Sequence, residues 1–134
     1  IFENLSDKEL KNIAQLTHER EYKSTEYVFK KHAPAEGMYV ILEGNIEIKD
    51  PESEKIFAKL HSGDFFGELA LLDEEPRSAT AICTSPSRLI GFFRTDLLTL
   101  IKRYPELGNN ILLNLSRVLG ERLRETNKII TNSK

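Results

Sequence analysis

The length, composition and charge of the chain indicate one globular domain spanning residues 1–134. Its 134 residues can bury a single core, and 40% hydrophobic with 30% charged residues exclude a disordered or fibrous chain. The net charge of −2 provides no electrostatic attraction for nucleic acid, so we expect this segment to bind none.

The first predicted element is a short amphipathic helix within residues 1–18. Ser6 and Glu9 have the spacing of a capping box, in which each side chain bonds the other residue's backbone. Leu10 and Ile13 continue an apolar pattern at near-helical spacing. The pattern predicts that the helix ends near Thr17.

Short β-type runs replace the helical pattern over residues 19–94. The runs comprise residues 27–29, 38–42, 46–48, 56–60, 80–83 and 88–93. Turn-forming residues separate them, including Gly44 and Asn45 in one predicted hairpin. Many short strands at this spacing predict a β-sandwich or a jelly-roll barrel.

Helical periodicity returns over residues 95–134. Thr95 and Asp96 are residue types that cap a helix start, which predicts a first helix there. Pro105 is then at the first turn of a second, longer helix, where a proline is well tolerated. That helix is predicted to reach about Ile130.

A stretch carrying glycine, acid and arginine, residues 63–81, holds most of the chemical information. Gly67 is followed by Glu68, and Arg77 comes nine residues later. Arginine binds phosphate through paired, charge-assisted hydrogen bonds, and a helical turn beginning at Glu68 would direct free N–H groups toward an anion. A carboxylate repels phosphate, so Glu68 suits a sugar hydroxyl. Together these groups match a nucleotide.

This stretch resembles the phosphate-binding cassette of the cyclic-nucleotide-binding domains, of the catabolite-activator and kinase regulatory-subunit types. Residues 66–71, Phe-Gly-Glu-Leu-Ala-Leu, and residues 76–79, Pro-Arg-Ser-Ala, match that cassette almost letter for letter. We refer to residues 63–81 as the cassette. The resemblance covers essentially the whole chain. It implies a mostly β fold with flanking helices: a jelly-roll β-barrel (double-stranded β-helix), an N-terminal helix and two C-terminal helices.

The resemblance also implies a ligand, a cyclic nucleoside monophosphate bound inside the roll, with cAMP favoured over cGMP. The implied phosphate contacts are Arg77, the Ser78 hydroxyl and backbone N–H groups near Ala70, Leu71, Ser78 and Ala79. Glu68 would accept the ribose 2′-OH, and Gly67 would let the backbone approach closely. No further cofactor is expected.

In relatives of the bacterial-activator type, the last helix caps the nucleotide base and pairs with its twin. By this resemblance Thr126 and Asn127 are candidate contacts to the adenine edge. A heptad-like seam predicts a homodimer through this helix: Leu112, Leu115, Leu119, Arg122, Thr126 and Ile129. The alternative is that these residues, with the broader apolar face of Ile111, Val118 and Leu123, pack within one chain.

Catalytic and metal-binding patterns are not apparent in the sequence. The three histidines, His18, His32 and His61, lack ligand spacing, and no nucleophile elbow is visible. We therefore expect neither an enzyme nor a metal site. The rival reading is a structural or protein-interaction module that binds no nucleotide, in which Glu68 and Arg77 form an ordinary surface ion pair.

The cysteine count and the apolar runs suggest a cellular location. Cys83 is the single cysteine, so no internal disulfide can form and a reducing compartment is favoured. No apolar run approaches the length of a membrane span, and no signal peptide is visible. We therefore expect a cytoplasmic protein without membrane insertion, and the Arg-Ser-Ala ending of the cassette favours a bacterial source.

Overall fold

The computed structural model describes residues 2–132, and the side chains of residues 2–128. The strands are β1 (His18–Tyr22), β2 (Tyr27–Phe29), β3 (Gly37–Glu43), β4 (Asn45–Lys49), β5 (Ile56–His61), β6 (Phe65–Phe66), β7 (Thr80–Cys83) and β8 (Ser87–Phe93). The helices are α1 (Asp7–Ala14), a 3₁₀ helix (Glu68–Leu71), α2 (Arg94–Arg103) and α3 (Pro105–Asn132). The chain divides into two compact units, Leu16–Leu97 and the combination of Ile1–Gln15 with Leu98–Lys134.

The unit Leu16–Leu97 holds two antiparallel four-stranded sheets. Their strand orders are β1-β8-β3-β6 and β2-β7-β4-β5. Neighbours such as β3 and β8 are far apart in sequence, as a jelly roll requires, and Tyr39 pairs with Gly91 between them. The predicted mostly β, jelly-roll architecture is confirmed.

The core of the roll is built from alternating apolar residues of both sheets. Its buried members are Tyr39, Ile41, Ile46, Phe66, Ala81, Cys83 and Leu89. Cys83 is a free thiol buried in this core, where it packs as a small apolar side chain. A Cβ at Gly37 would collide with the backbone of Phe92 and Phe93, so glycine is required where β3 meets β8.

Helix α1 has the predicted start but an earlier end. Ser6 Oγ accepts from the Glu9 N–H at 3.2 Å and Glu9 Oε1 accepts from the Ser6 N–H at 3.1 Å, which confirms the capping box. The helix ends at Ala14, whereas the sequence pattern predicts its end near Thr17. His18 is the first residue of β1 and already pairs with Gly91 of β8. The residues between Ala14 and His18 must therefore leave the helix to reach the sheet.

Strand β1 carries no clear sequence signal. Four of its five side chains, in the sequence His-Glu-Arg-Glu-Tyr, are exposed, and it is an edge strand. Hydrophobic alternation, the main marker of a half-buried strand, is therefore missing. Backbone pairing with β8 defines the strand instead.

Helix α2 begins at Arg94, one residue before the predicted cap. Asp96 is thus the third helical residue, and its Oδ2 accepts from the Phe93 N–H at 2.9 Å. Asp96 therefore closes the helix start from inside, as an acid does in a capping box, and its prediction as the capping residue itself is wrong. The same carboxylate pairs with His18 Nε2 at 3.1 Å.

Helix α3 buries one stripe of its surface. Ile111 and Leu115 have no exposed surface, which removes Leu115 from the predicted dimer seam. Leu123, expected on the buried face, is 62% exposed, because steps of four and three residues from Ile111 lead through Leu115 and Val118 and pass Leu123 by. The side chain of Ile129, the last seam residue, lies outside the described residues.

Gly108 lets α3 approach the later part of α2 closely, and both of these segments belong to the unit that includes Leu98–Lys134. A Cβ there would lie 2.8 Å from the Cα of Ile101, closer than real Cβ contacts come.

Among the described residues, none of the helices is long and apolar enough to cross a membrane.

Candidate functional site

The cassette begins with a left-handed turn at Gly67. This residue has φ +78° and directly precedes the 3₁₀ helix Glu68–Leu71. A Cβ on Gly67 would lie 2.7 Å from Arg77 Nη1. Glycine is therefore needed twice, for the backbone angle and for the space that the arginine occupies.

The 3₁₀ helix buries three of its four side chains. Ala70 and Leu71 are buried, as is the Glu68 side chain at 6% exposure. The Ala70 N–H, expected in the phosphate cradle, donates to Gly67 O at 3.1 Å. In this arrangement it could meet an anion only by sharing its hydrogen or by leaving that turn.

Arg77 is a buried cation held by backbone carbonyls and an aromatic ring. Its side chain is 8% exposed. Nη2 donates to Gly37 O at 2.6 Å and Nη1 to Gly67 O at 3.4 Å. The Cζ atom lies 4.0 Å from the ring centroid of Phe29, a cation–π arrangement. Nε has no hydrogen-bond partner in the described part of the chain.

The charge of Arg77 is thus incompletely compensated. Burial lowers the pKa of its guanidinium, yet arginine remains protonated at neutral pH. The alternative of an ordinary surface ion pair between Glu68 and Arg77 is wrong, because both side chains are buried. A buried cation with a free donor suits an anionic ligand.

The backbone of Arg77 is anchored by the loop that precedes β3. His32 N–H donates to Arg77 O at 2.8 Å, and Arg77 N–H donates to Ala33 O at 2.9 Å. His32 adopts φ +74°, an uncommon backbone conformation for a residue with a side chain. After Arg77 the chain places Ser78 in an exposed position and Ala79 in a half-buried one.

Aromatic rings form the floor beneath the guanidinium. Phe29 lies 5.9 Å from Phe66 and 6.3 Å from Tyr39 between ring centroids, and Tyr39 and Phe66 are stacked at 5.6 Å. Burial raises the pKa of the Tyr39 hydroxyl, so it stays neutral at physiological pH. Sequence reasoning missed Phe29 as a site residue because it lies 48 positions before Arg77.

The candidate base contacts lie on α3, in the other unit. Thr126 and Asn127 are both exposed. The Thr126 hydroxyl donates to Arg122 O, one turn earlier, at 3.0 Å. That bond uses its only hydrogen, so the hydroxyl oxygen can accept but must reorient to donate elsewhere.

Other reactive side chains of the described residues form no second site. No group of three or more potential metal ligands is present among them. His18, His32 and His61 are all exposed. Burial raises the pKa of the Cys83 thiol, which keeps it in the unreactive neutral form.

Comparison with known proteins yields one consistent family. The model of the cyclic nucleotide-binding domain matches residues 19–104. The cyclic AMP receptor protein of Thermus thermophilus is 30% identical over 128 residues, which cover 93% of this chain and 57% of that protein. The cAMP-dependent protein kinase regulatory subunit of Mycosarcoma maydis is 38% identical over 82 residues, 60% of this chain and 16% of that protein. The chain therefore spans less than two thirds of each relative.

A solved structure matches the whole chain. The cyclic nucleotide-binding domain from Methylobacillus flagellatus has a TM-score of 0.84 and 26% identity, and the match covers 100% of this chain and 77% of that one. The family model covers the two sheets, the cassette and α2 together. The family and fold are those of regulatory, ligand-binding domains. This chain belongs to the cyclic nucleotide-binding domain family.

Proposed function

We propose that this domain is a sensor that binds a cyclic nucleoside monophosphate, cAMP in preference to cGMP, through the cassette. The observation that carries the proposal is Arg77: a guanidinium 8% exposed, with a partnerless Nε in the described part of the chain. A cyclic phosphate carries one negative charge and two free oxygens, which would pair with the charge and supply the missing acceptor.

The ribose contact of this proposal is Glu68. Its carboxylate lies one residue from the Gly67 turn, where the backbone can approach a ligand without a side-chain clash. Ser78, exposed beside Arg77, would donate its hydroxyl to the phosphate. Backbone N–H groups of Leu71 and Ala79 complete the proposed cradle, and that of Ala70 would join once it leaves its bond to Gly67 O.

The choice of base rests on α3. We place Thr126 and Asn127 at the adenine edge because both are exposed and carry groups that donate and accept hydrogen bonds. A threonine at position 78 would resemble the pattern of the cGMP-preferring kinases, so the serine found there supports cAMP. No cofactor other than this ligand is part of the proposal.

The output of the sensor is proposed to pass through the C-terminal helices. Ligand binding would draw the cassette inward and shift α2 and α3 about the break between them, where Arg103 ends α2 and Pro105 begins α3. The exposed Leu113 and Leu123 of α3 support pairing with a second copy, on a face other than the one that holds Leu115. We place this signalling in the cytoplasm.

Titration calorimetry on the parent and on Arg77→Ala tests the phosphate assignment. Removing one partner of a buried charge pair costs about 2–5 kcal/mol, so cAMP affinity should fall by roughly 30- to 5,000-fold. If Arg77→Ala, shown to be folded, binds cAMP as tightly as the parent, the site is elsewhere.

A further inference from the structure

A second arginine, Arg94, spans from the start of α2 to the cassette. Its Nη1 donates to Ala70 O and to Asp73 O, both at 2.9 Å, and lies 3.4 Å from Ala35 O. Its Nη2 lies 3.4 Å from Glu74 Oε1. The side chain is 23% exposed, so water competes only partly for these bonds. All of these atoms belong to the unit Leu16–Leu97.

Most of the acceptors of Arg94 are backbone carbonyls, so its bonds are made to the backbone itself rather than to movable side chains. Ala70 and Asp73 lie at and just after the end of the 3₁₀ helix, where carbonyls lack partners within the helix. The Arg94 N–H donates to Glu36 O at 2.9 Å, which fixes the arginine at its own end. Arg94, the first residue of α2, therefore ties this helix to the cassette and to the loop before β3.

Arg88 on β8 provides the contrast within the same chain. Its two acceptors are side-chain atoms, Glu19 Oε1 at 3.0 Å and Glu43 Oε1 at 3.2 Å. Both are exposed carboxylates on flexible side chains, which can follow or release the arginine without any movement of the backbone. A displacement of the carbonyls bound by Arg94 requires the backbone to move.

We propose that Arg94 is the positioning residue that couples the cassette to α2. The proposal rests on the proposed function, since it concerns how the same ligand-binding event is passed on. When the cassette moves on binding, Ala70 O and Asp73 O must carry Arg94 with them or break its bonds. Either way the first turn of α2 has a different environment in the two states, which is the differential interaction that coupling requires.

Hydrogen exchange of the α2 amides, followed by mass spectrometry with and without saturating cAMP, tests this in the 134-residue chain. In the parent we expect cAMP to change the exchange rate of α2 by about fivefold or more, the lower end of typical coupling. In Arg94→Gln the change should fall below about twofold, while calorimetry still detects cAMP binding. The matched control Arg88→Gln should behave as the parent does.

Arg94→Lys separates the charge from the reach of the guanidinium. A lysine keeps the charge and has three N–H donors, but its stem is one bond shorter and does not bring its nitrogen to the position of Nη1, which binds the carbonyls. It should therefore also lose the response of α2. It also carries the test if Arg94→Gln fails to fold. A parent-like response of α2 in a folded Arg94 variant would overturn the coupling role, as would a parent that binds cAMP without any change in α2. Failure of the parent to bind cAMP or cGMP would instead overturn the proposed function itself.

Discussion

Replacing Arg77 by methionine should separate folding from ligand binding. Methionine has a similar length but no charge and no donor. It would leave Gly37 O and Gly67 O without the bonds that Nη2 and Nη1 donate. It would also remove a cation from an 8% exposed position where Nε has no partner in the described part of the chain.

The opposing contributions to the stability of the unliganded protein are similar in size. Hydrogen bonds from a charged donor contribute about 1.5–3 kcal/mol each, less for the long 3.4 Å bond to Gly67. The contact with Phe29 adds up to about 2 kcal/mol. Burying the guanidinium costs several kcal/mol, which methionine avoids, as replacements of buried ions by apolar residues have shown. The net change in the free energy of unfolding should therefore stay within about 2 kcal/mol.

Urea denaturation with and without cAMP is the assay. At a cAMP concentration of about 1,000 times the dissociation constant of the parent, the parent should gain roughly 4 kcal/mol. A loss of at least about 2 kcal/mol in binding would limit the gain of Arg77→Met to about 2 kcal/mol or less. The control Arg88→Met removes two exposed ion pairs and should cost about 1 kcal/mol or less with full stabilisation by cAMP.

Two results would refute this reasoning. Equal stabilisation of Arg77→Met and the parent by cAMP would show that Arg77 does not bind the ligand. An unliganded Arg77→Met destabilised by more than about 4 kcal/mol would show that the cation is already well compensated by its carbonyls and Phe29, and that no ligand is needed to explain its burial.

Three further predictions concern other positions. In calorimetry, Glu68→Gln should weaken cAMP binding about tenfold but leave the affinity for 2′-deoxy-cAMP unchanged. That analogue lacks the hydroxyl that Glu68 is proposed to bind. Equal losses of affinity for both ligands would contradict the ribose contact. Gly108→Ala should lower the free energy of unfolding by about 1–3 kcal/mol, because its Cβ would lie 2.8 Å from the Cα of Ile101. Gly120→Ala, whose Cβ would have its nearest neighbour at 3.7 Å, should raise the free energy of unfolding by up to about 1 kcal/mol. The opposite order of the two variants in urea denaturation would refute the packing argument. Because burial raises the pKa of its thiol, Cys83 should resist a thiol reagent at pH 8 until the protein is unfolded, and rapid labelling of the native protein would show that it is accessible.

The sequence predicts elements whose own residues carry the signal. The capping box of α1 is local, and so are the apolar runs that become β3, β4 and β8. Strand β1 could not be found in this way, because pairing with β8 alone defines it. The start of α2 was misplaced by one residue because Asp96 can cap a helix from outside or close it from inside.

The site divides in the same manner. The cassette motif identifies Gly67, Glu68 and Arg77, and the structure places the Gly67 carbonyl against the arginine. The motif does not reveal the ring of Phe29 under the guanidinium or the bond from Arg94 to Ala70 O. Those contacts join segments that only the sheet topology brings together. Periodicity also misassigned Leu115 and Leu123, because a stripe repeating every three or four residues fits two neighbouring helix faces.

Titration of the nucleotide-stripped chain with cAMP and then with cGMP tests the central claim most directly. The account predicts micromolar or tighter binding of cAMP and weaker binding of cGMP. A folded protein that binds neither nucleotide at millimolar concentration would contradict it. The partnerless Nε of Arg77 in the described part of the chain would then need another acceptor, and the fold would be that of a structural or interaction module.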